Sequence, residues 1–265
     1  MKKLISKCLI AVLCLGLLLF VSGCGEKAPD GETLSRLVAD AILSQNKDMY
    51  LEGECCGEGH SILGTDLSGK SLKVYALTMF GNYGFENDMF VKVSGSGVIP
   101  AVLSFEKNGD DYKLLKIEYP EDGANYSESI QRLFPKKYHA QVLSFDEAQN
   151  AALNQQERSY AEAYLKSIGR EAAIGEFQDL NVVLLTDQGV DVEVSNRLIS
   201  DPRLQNYPYW IGTNEFLSNG KRCVRSLSLD NSAGQILYET VEKDSGTVTE
   251  RFVFDAATGE ELTGD

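Results

Sequence analysis

Hydrophobic and polar positions along the chain fall into distinct textures. From Leu9 to Val21 the sequence is almost uninterruptedly apolar. Leu34, Leu37, Val38, Ala41 and Ile42 then recur three and four residues apart, which predicts an amphipathic helix over residues 33–48. From Tyr50 to Tyr119 the period shortens. "LKVYALTMF", "MFVKV", "VIPAVLSFE" and "YKLLKIEY" are short runs rich in β-branched and aromatic residues, and the Gly- and Asn-bearing stretches "GNYGFEND", "SGSG" and "KNGDD" separate them as connections. Asn108-Gly109 marks a tight hairpin. The expectation is an α+β module over residues 33–140, an N-terminal helix packed on a curved antiparallel sheet.

A second α+β module is expected over residues 144–265, a helix followed by an antiparallel β-meander. Ser127 to Phe134 reads as a short helix stopped at Pro135. Ser144 and Glu147 form an S-x-x-E capping box, and Leu153, Tyr160, Tyr164 and Ile168 lie along one stripe that Gly169 terminates. The intervening "NQQERS" is expected to face solvent. "NVVLL" and "VDVEV" about "TDQG" predict a hairpin, and residues 196–206 a short helix broken at Pro202. "RCVRSLSL", "QILYETVE" and "TVTERFVF", separated by "DNSAG" and "KDSG", predict the meander.

The N-terminal segment changes the cellular picture. Lys2, Lys3 and Lys7 precede the apolar run, which is short of the roughly 20 residues of a membrane-spanning helix. Charged start, short apolar stretch and small residues describe an export signal over residues 1–23. Val21-Ser22-Gly23-Cys24 resembles the bacterial lipobox, which implies lipidation of Cys24 and cleavage after Gly23. Acyl chains contribute about 0.8 kcal/mol per buried CH₂. A tether over residues 24–32 would then hold a palmitate-bearing lipoprotein on the extracytoplasmic face of the cell membrane. The chain carries a net charge of −14, and the leader takes three lysines with it. No Lys/Arg block stands against that acidity, which argues against nucleic acid and against an electrostatic grip on anionic lipid.

Candidate chemistry centres on "GECCGEGH" (53–60). Strand alternation puts Cys56, Glu58 and His60 on one face and Cys55 on the other. Those three are candidate zinc ligands, but a site needs three or four, no second cluster exists, and Gly57 and Gly59 suggest a bend. An ordinary first strand is the favoured reading. Of six cysteines, Cys55, Cys56 and Cys223 remain after the leader and Cys24 are set aside. A strained vicinal disulfide, a bond to Cys223 and buried reduced thiols are the alternatives, reduced thiols being preferred. G-x-S-x-G, Walker, dinucleotide and H-E-x-x-H patterns are absent, so no cofactor is expected. S-x-x-K at Ser104 and Ser218 lacks its companion motifs, and His60 and His139 are the only histidines. Tyr83 and Phe85, expected in an exposed connection, and Trp210 in "NYPYW" are candidate ligand or partner anchors. For Trp210 a place in the core is favoured.

The segments "YLEGECCGEGHSILG", "VYALTMFGNYGFEND", "FVKVSGSGVIPAVLSF", "LLKIEYPEDGANYSESIQRLFP" and "YLKSIGREA" together resemble an uncharacterised family of Gram-positive bacterial lipoproteins. They are also similar to extracytoplasmic regions of membrane proteins with a metallopeptidase-type sensor architecture. The resemblance implies a module used outside the membrane and brings no catalytic residues; the metallopeptidase motif is absent. The expected function is a non-enzymatic accessory that binds a small ligand or envelope protein, held to the membrane through Cys24. The alternative is a metal-binding or thiol redox protein using Cys55, Cys56, Glu58 and His60.

Overall fold

The computed structural model describes residues 28–144 and 146–262. The leader, Cys24 and the start of the tether, through residue 27, therefore lie outside the described residues. Helix α1 (Gly31–Asn46) opens the fold, capped by the Asp30 carboxylate, which accepts from the Thr33 N–H at 2.8 Å. All five periodic apolar residues, Leu34, Leu37, Val38, Ala41 and Ile42, are buried. Burying each large aliphatic one contributes about 1.5–3 kcal/mol.

Five antiparallel strands follow: β1 (Cys55–Ser68), β2 (Ser71–Glu86), β3 (Met89–Gly95), β4 (Ile99–Asn108) and β5 (Asp111–Glu118). The long strand β2 is the spine. It pairs with β1 from Ser71 to Tyr83, with β4 over its first half and with β3 over its second. The expected connection "GNYGFEND" is corrected here: residues through Glu86 continue β2, and only Asn87 and Asp88 turn. Both have positive φ, 47° and 63°, the backbone of a two-residue hairpin turn.

Helices α2 (Tyr126–Leu133) and α3 (His139–Leu143) lead to α4 (Glu147–Ser167). The sheet is a partition. On one face α1 packs over Leu72, Val74, Ala76, Phe80, Leu103 and Phe105. On the other, α2, α3 and α4 pack over Tyr75, Leu77, Met79, Tyr83 and Phe85. Helix α4 thus covers the N-terminal sheet, where its expected place was at the head of the second module. Its cap also moves. Asp146 accepts from the Gln149 N–H at 2.8 Å and the Gln149 side chain accepts from the Asp146 N–H at 3.1 Å, while Ser144 ends α3. Gly169 closes α4 at φ 65°, with the Arg170 N–H bonded back to the Leu165 carbonyl.

The C-terminal part adds β6 (Ile174–Glu176), parallel to β3, then α5 (Val192–Ile199) and the meander β7 (Gly212–Ser218), β8 (Lys221–Asp230), β9 (Gln235–Glu242) and β10 (Thr247–Asp255). The expected hairpin at "VDVEV" is a helix instead. Asp191 caps the Glu193 N–H at 2.7 Å, and Val194 and Leu198 bury at helical spacing under β8–β10. One ten-stranded sheet runs through both parts, and Glu86 to Asn214 is the single pair by which β7 joins β2.

Two glycines of "GECCGEGH" fix how α4 sits. A Cβ on Gly59 would lie 2.2 Å from the Leu153 carbonyl oxygen, and one on Gly57 2.5 Å from that of Glu157. Both obstacles are helix backbone, so Gly59→Ala is expected to cost about 3 kcal/mol, the upper end for overpacking. Gly97→Ala, with open space around it, is the neutral control; urea unfolding of the two variants checks the difference.

At the joining pair, Glu86 is buried and its Oε2 has no hydrogen-bond partner among the described residues. Burial pushes its carboxyl up to about 8 from 4.5. Between those values the folded chain keeps a proton that the unfolded chain has released, so stability falls as pH rises through this window. Glu86→Gln should remove that slope: its melting temperature exceeds that of the wild type by a margin that grows from pH 5 to pH 8.5.

Candidate functional site

Strand alternation places the residues of "GECCGEGH" as the sequence suggested. Cys55, Gly57 and Gly59 face α4, and Cys56 packs in the core beneath α1. Cys55, Cys56 and Cys223 are all free thiols, and burial pushes Cys55 up to about 12, so it stays protonated at neutral pH. Among the described residues no three His, Cys, Asp or Glu side chains are placed to hold a metal ion. Cys56 is taken into the core, and Glu58 and His60 are bonded to each other.

That bond belongs to a longer relay. Glu58 is 3% exposed, and His60 Nδ1 lies 2.8 Å from its Oε2. Tyr160 on α4 donates its hydroxyl to the other oxygen at 3.0 Å. Burial and the Glu58 charge both push the Tyr160 phenol above its usual range, so it remains a donor. A carboxylate that accepts at both oxygens takes the proton on His60 Nδ1; in the neutral imidazole the lone pair is then on Nε2. The Ser35 Oγ of α1 lies 2.8 Å from that nitrogen and donates to it when the ring is neutral. The His60 backbone N–H, unpaired by a neighbouring strand at the sheet edge, is taken by Gln156 Oε1 at 2.9 Å. The relay opens on a groove of about 580 Å³ between α1, β1 and α4, with Glu32, Arg36, Asp40 and Ser159 on its walls.

Tyr83 and Phe85 are corrected from exposed anchors to core. They are 3% and 1% exposed, because β2 continues through them beneath α4. Tyr83 donates to Glu157 Oε1 at 2.9 Å, and Lys92 donates to Oε2 at 2.9 Å. Glu157, expected on a solvated face, is 0% exposed. Burial raises its carboxyl and the Lys92 charge and hydrogen bonds oppose that rise. A Cβ on Gly81 would strike this carboxylate, which explains the glycine in "FGNYG".

Phe85 lies beneath Arg170, whose guanidinium carbon is 3.6 Å from the ring centre, with Arg222 at 5.1 Å. Those arginines tie the two halves together. Arg222 bonds Glu54 at 2.5 and 3.0 Å, and Arg170 bonds Glu215 at 2.6 Å, with Lys243 also on Glu215. Burial alone would raise the Glu215 carboxyl, yet hydrogen bonds from Arg170 and Lys243 hold it below the usual range. Trp210 is 4% exposed, edge-on to Phe177 at 5.1 Å, in agreement with core packing. None of these three aromatics reaches the groove.

Sequence reasoning missed Ser35, Gln156 and Tyr160. They are brought to Glu58 and His60 from 25 to 102 residues away, and no local spacing signals them. Comparison with family models, curated proteins and solved structures returned no match.

The Glu157 site makes a direct demand on stability. Lys92→Met leaves a sealed carboxylate without its cation, and unfolding free energy is expected to fall by about 3–5 kcal/mol. The double variant Lys92→Met/Glu157→Gln should recover most of that loss in the same denaturant titration.

Proposed function

We propose that the protein is a recognition module held on the extracytoplasmic face of a membrane by lipid on Cys24, with the groove between α1, β1 and α4 as its ligand site. The observation that carries this reading is the position of the groove in the chain. Its first wall is α1, which begins at Gly31, seven residues after Cys24. A fully extended segment of that length spans at most about 25 Å, so an anchored chain keeps the groove close to the bilayer surface.

The Lys-bearing start, the apolar run and Val21-Ser22-Gly23-Cys24 support export and lipidation. Among the described residues no helix is long and apolar enough to cross a membrane. The resemblance to Gram-positive lipoproteins and to sensor ectodomains points the same way. Polar walls bearing both signs of charge, Glu32 and Asp40 beside Arg36, suit a small polar ligand better than an apolar one.

Expression of the full chain in a bacterial host with an alkynyl palmitate tests the anchor. The wild type is expected to take the label and to sediment with membranes, and Cys24→Ser to lose both. An unlabelled wild type, or a Cys24→Ser chain that labels equally, would overturn the reading.

A further inference from the structure

We propose that Ser35, His60 and Glu58 form an acyl-transfer site that hydrolyses small carboxylic esters, with Ser35 as nucleophile, His60 as general base and acid, and Glu58 as the residue that positions the imidazole. This goes beyond recognition. It uses the same groove but does not depend on the lipid at Cys24.

Three features of the geometry carry it. The first is the order of contacts: hydroxyl, imidazole and carboxylate stand in line at 2.8 Å and 2.8 Å, one contact on each ring nitrogen. Nucleophile, base and orienting group in this sequence are what activation of a serine requires. The second is the orientation of the ring: Glu58, itself held by Tyr160, takes the Nδ1 side, so that in the neutral imidazole Nε2 faces Ser35 as the acceptor. The third is graded burial. Glu58 is sealed, the His60 ring is nearly so, and Ser35 stands half-buried at the groove wall where an acyl group can reach it. A relay with only a packing role needs no such opening.

In the first half of the reaction Ser35 Oγ bonds to the ester carbonyl carbon and its proton passes to His60 Nε2. The bond from that carbon to the alkoxide oxygen breaks, and the alkoxide leaves as the alcohol with the proton from Nε2. In the second half a water oxygen bonds to the acyl carbon while Nε2 takes its proton. The acyl–Oγ bond breaks, Ser35 recovers the proton and the carboxylic acid departs. Gln156, whose amide oxygen accepts from the His60 N–H, and Arg36 line the same groove and would supply side-chain N–H groups to the developing oxyanion.

The full chain, purified in detergent, is treated with a fluorophosphonate probe and separately with p-nitrophenyl acetate. The probe should lose fluoride to form a single phosphonyl adduct on Ser35, located by peptide mass, and p-nitrophenol release should exceed the uncatalysed rate. Ser35→Ala should abolish both, and His60→Gln should slow both by about 100-fold or more. Ser44→Ala, another α1 hydroxyl, should behave as the wild type. Glu58→Leu should give at least a tenfold loss and a change that packing alone does not predict. The ¹⁵N signals of His60 should pass from one tautomer, bare at Nε2, to a mixture; with only two histidines in the chain they are readily assigned. Circular dichroism establishes that each variant is folded; if His60→Gln is not, Glu58→Leu carries the test. A folded wild type that neither labels nor turns over ester would overturn the proposal. So would labelling away from Ser35, or rates indifferent to both His60 and Glu58. Palmitate labelling is read independently, so an anchored chain without esterase activity refutes this proposal alone.

Discussion

The close approach of α4 to β1 is the constraint on which the rest depends. Helix backbone comes so near the strand that only hydrogen fits at Gly57 and Gly59, and the Glu157 carboxylate closes over Gly81 of β2 in the same way. That approach seals Glu157 and gives it Lys92 and Tyr83 as partners. It also carries Gln156 and Tyr160, one residue before and three residues after Glu157, to the rim of the sheet where β1 has no further strand. A helix held a few ångströms further out would leave Glu58 with one fewer donor and His60 with an unpaired N–H.

Strand β2 transmits this arrangement through the molecule. Helices cover both its faces, which is why its burial is nearly continuous after Lys73 and why it reads as a run of apolar residues with little alternation. Its far end meets the C-terminal meander at one pair only, and charge does much of the joining there. Arg170 and Arg222 enclose Phe85 and reach Glu54 and Glu215, so an aromatic ring and two carboxylates share the same two cations. Partial burial of this network makes its hydrogen-bond geometry matter more than the number of its charges.

Much of the architecture was legible in the sequence where a single period dominates. The five buried positions of α1, the opposed faces of Cys55 and Cys56, the hairpin at Asn108-Gly109 and the C-terminal meander all follow from spacing and turn chemistry. Misreadings occurred where one residue type serves two purposes. Gly81 and Gly84 look like loop punctuation, yet Gly81 is there to admit the Glu157 carboxylate, and the strand runs on through Tyr83 and Phe85. "VDVEV" alternates like a strand, but Asp191 caps a helix whose buried Val194 and Leu198 are four apart. The relay was half visible: Glu58 and His60 are two apart on one strand face, whereas Ser35 is an ordinary helical serine until the fold brings it to an imidazole.

Cys55 and Cys56 show what the sheet does as a barrier. They are joined by one peptide bond, yet one thiol lies in the core under α4 and the other in the core under α1. Neither sulfur can visit the other's compartment without the strand turning over about its own axis. The two thiols therefore sample different surroundings: Cys55 stands against the cluster under α4 and Cys56 against the one under α1, each only partly buried. The bond between them marks the boundary between two interiors.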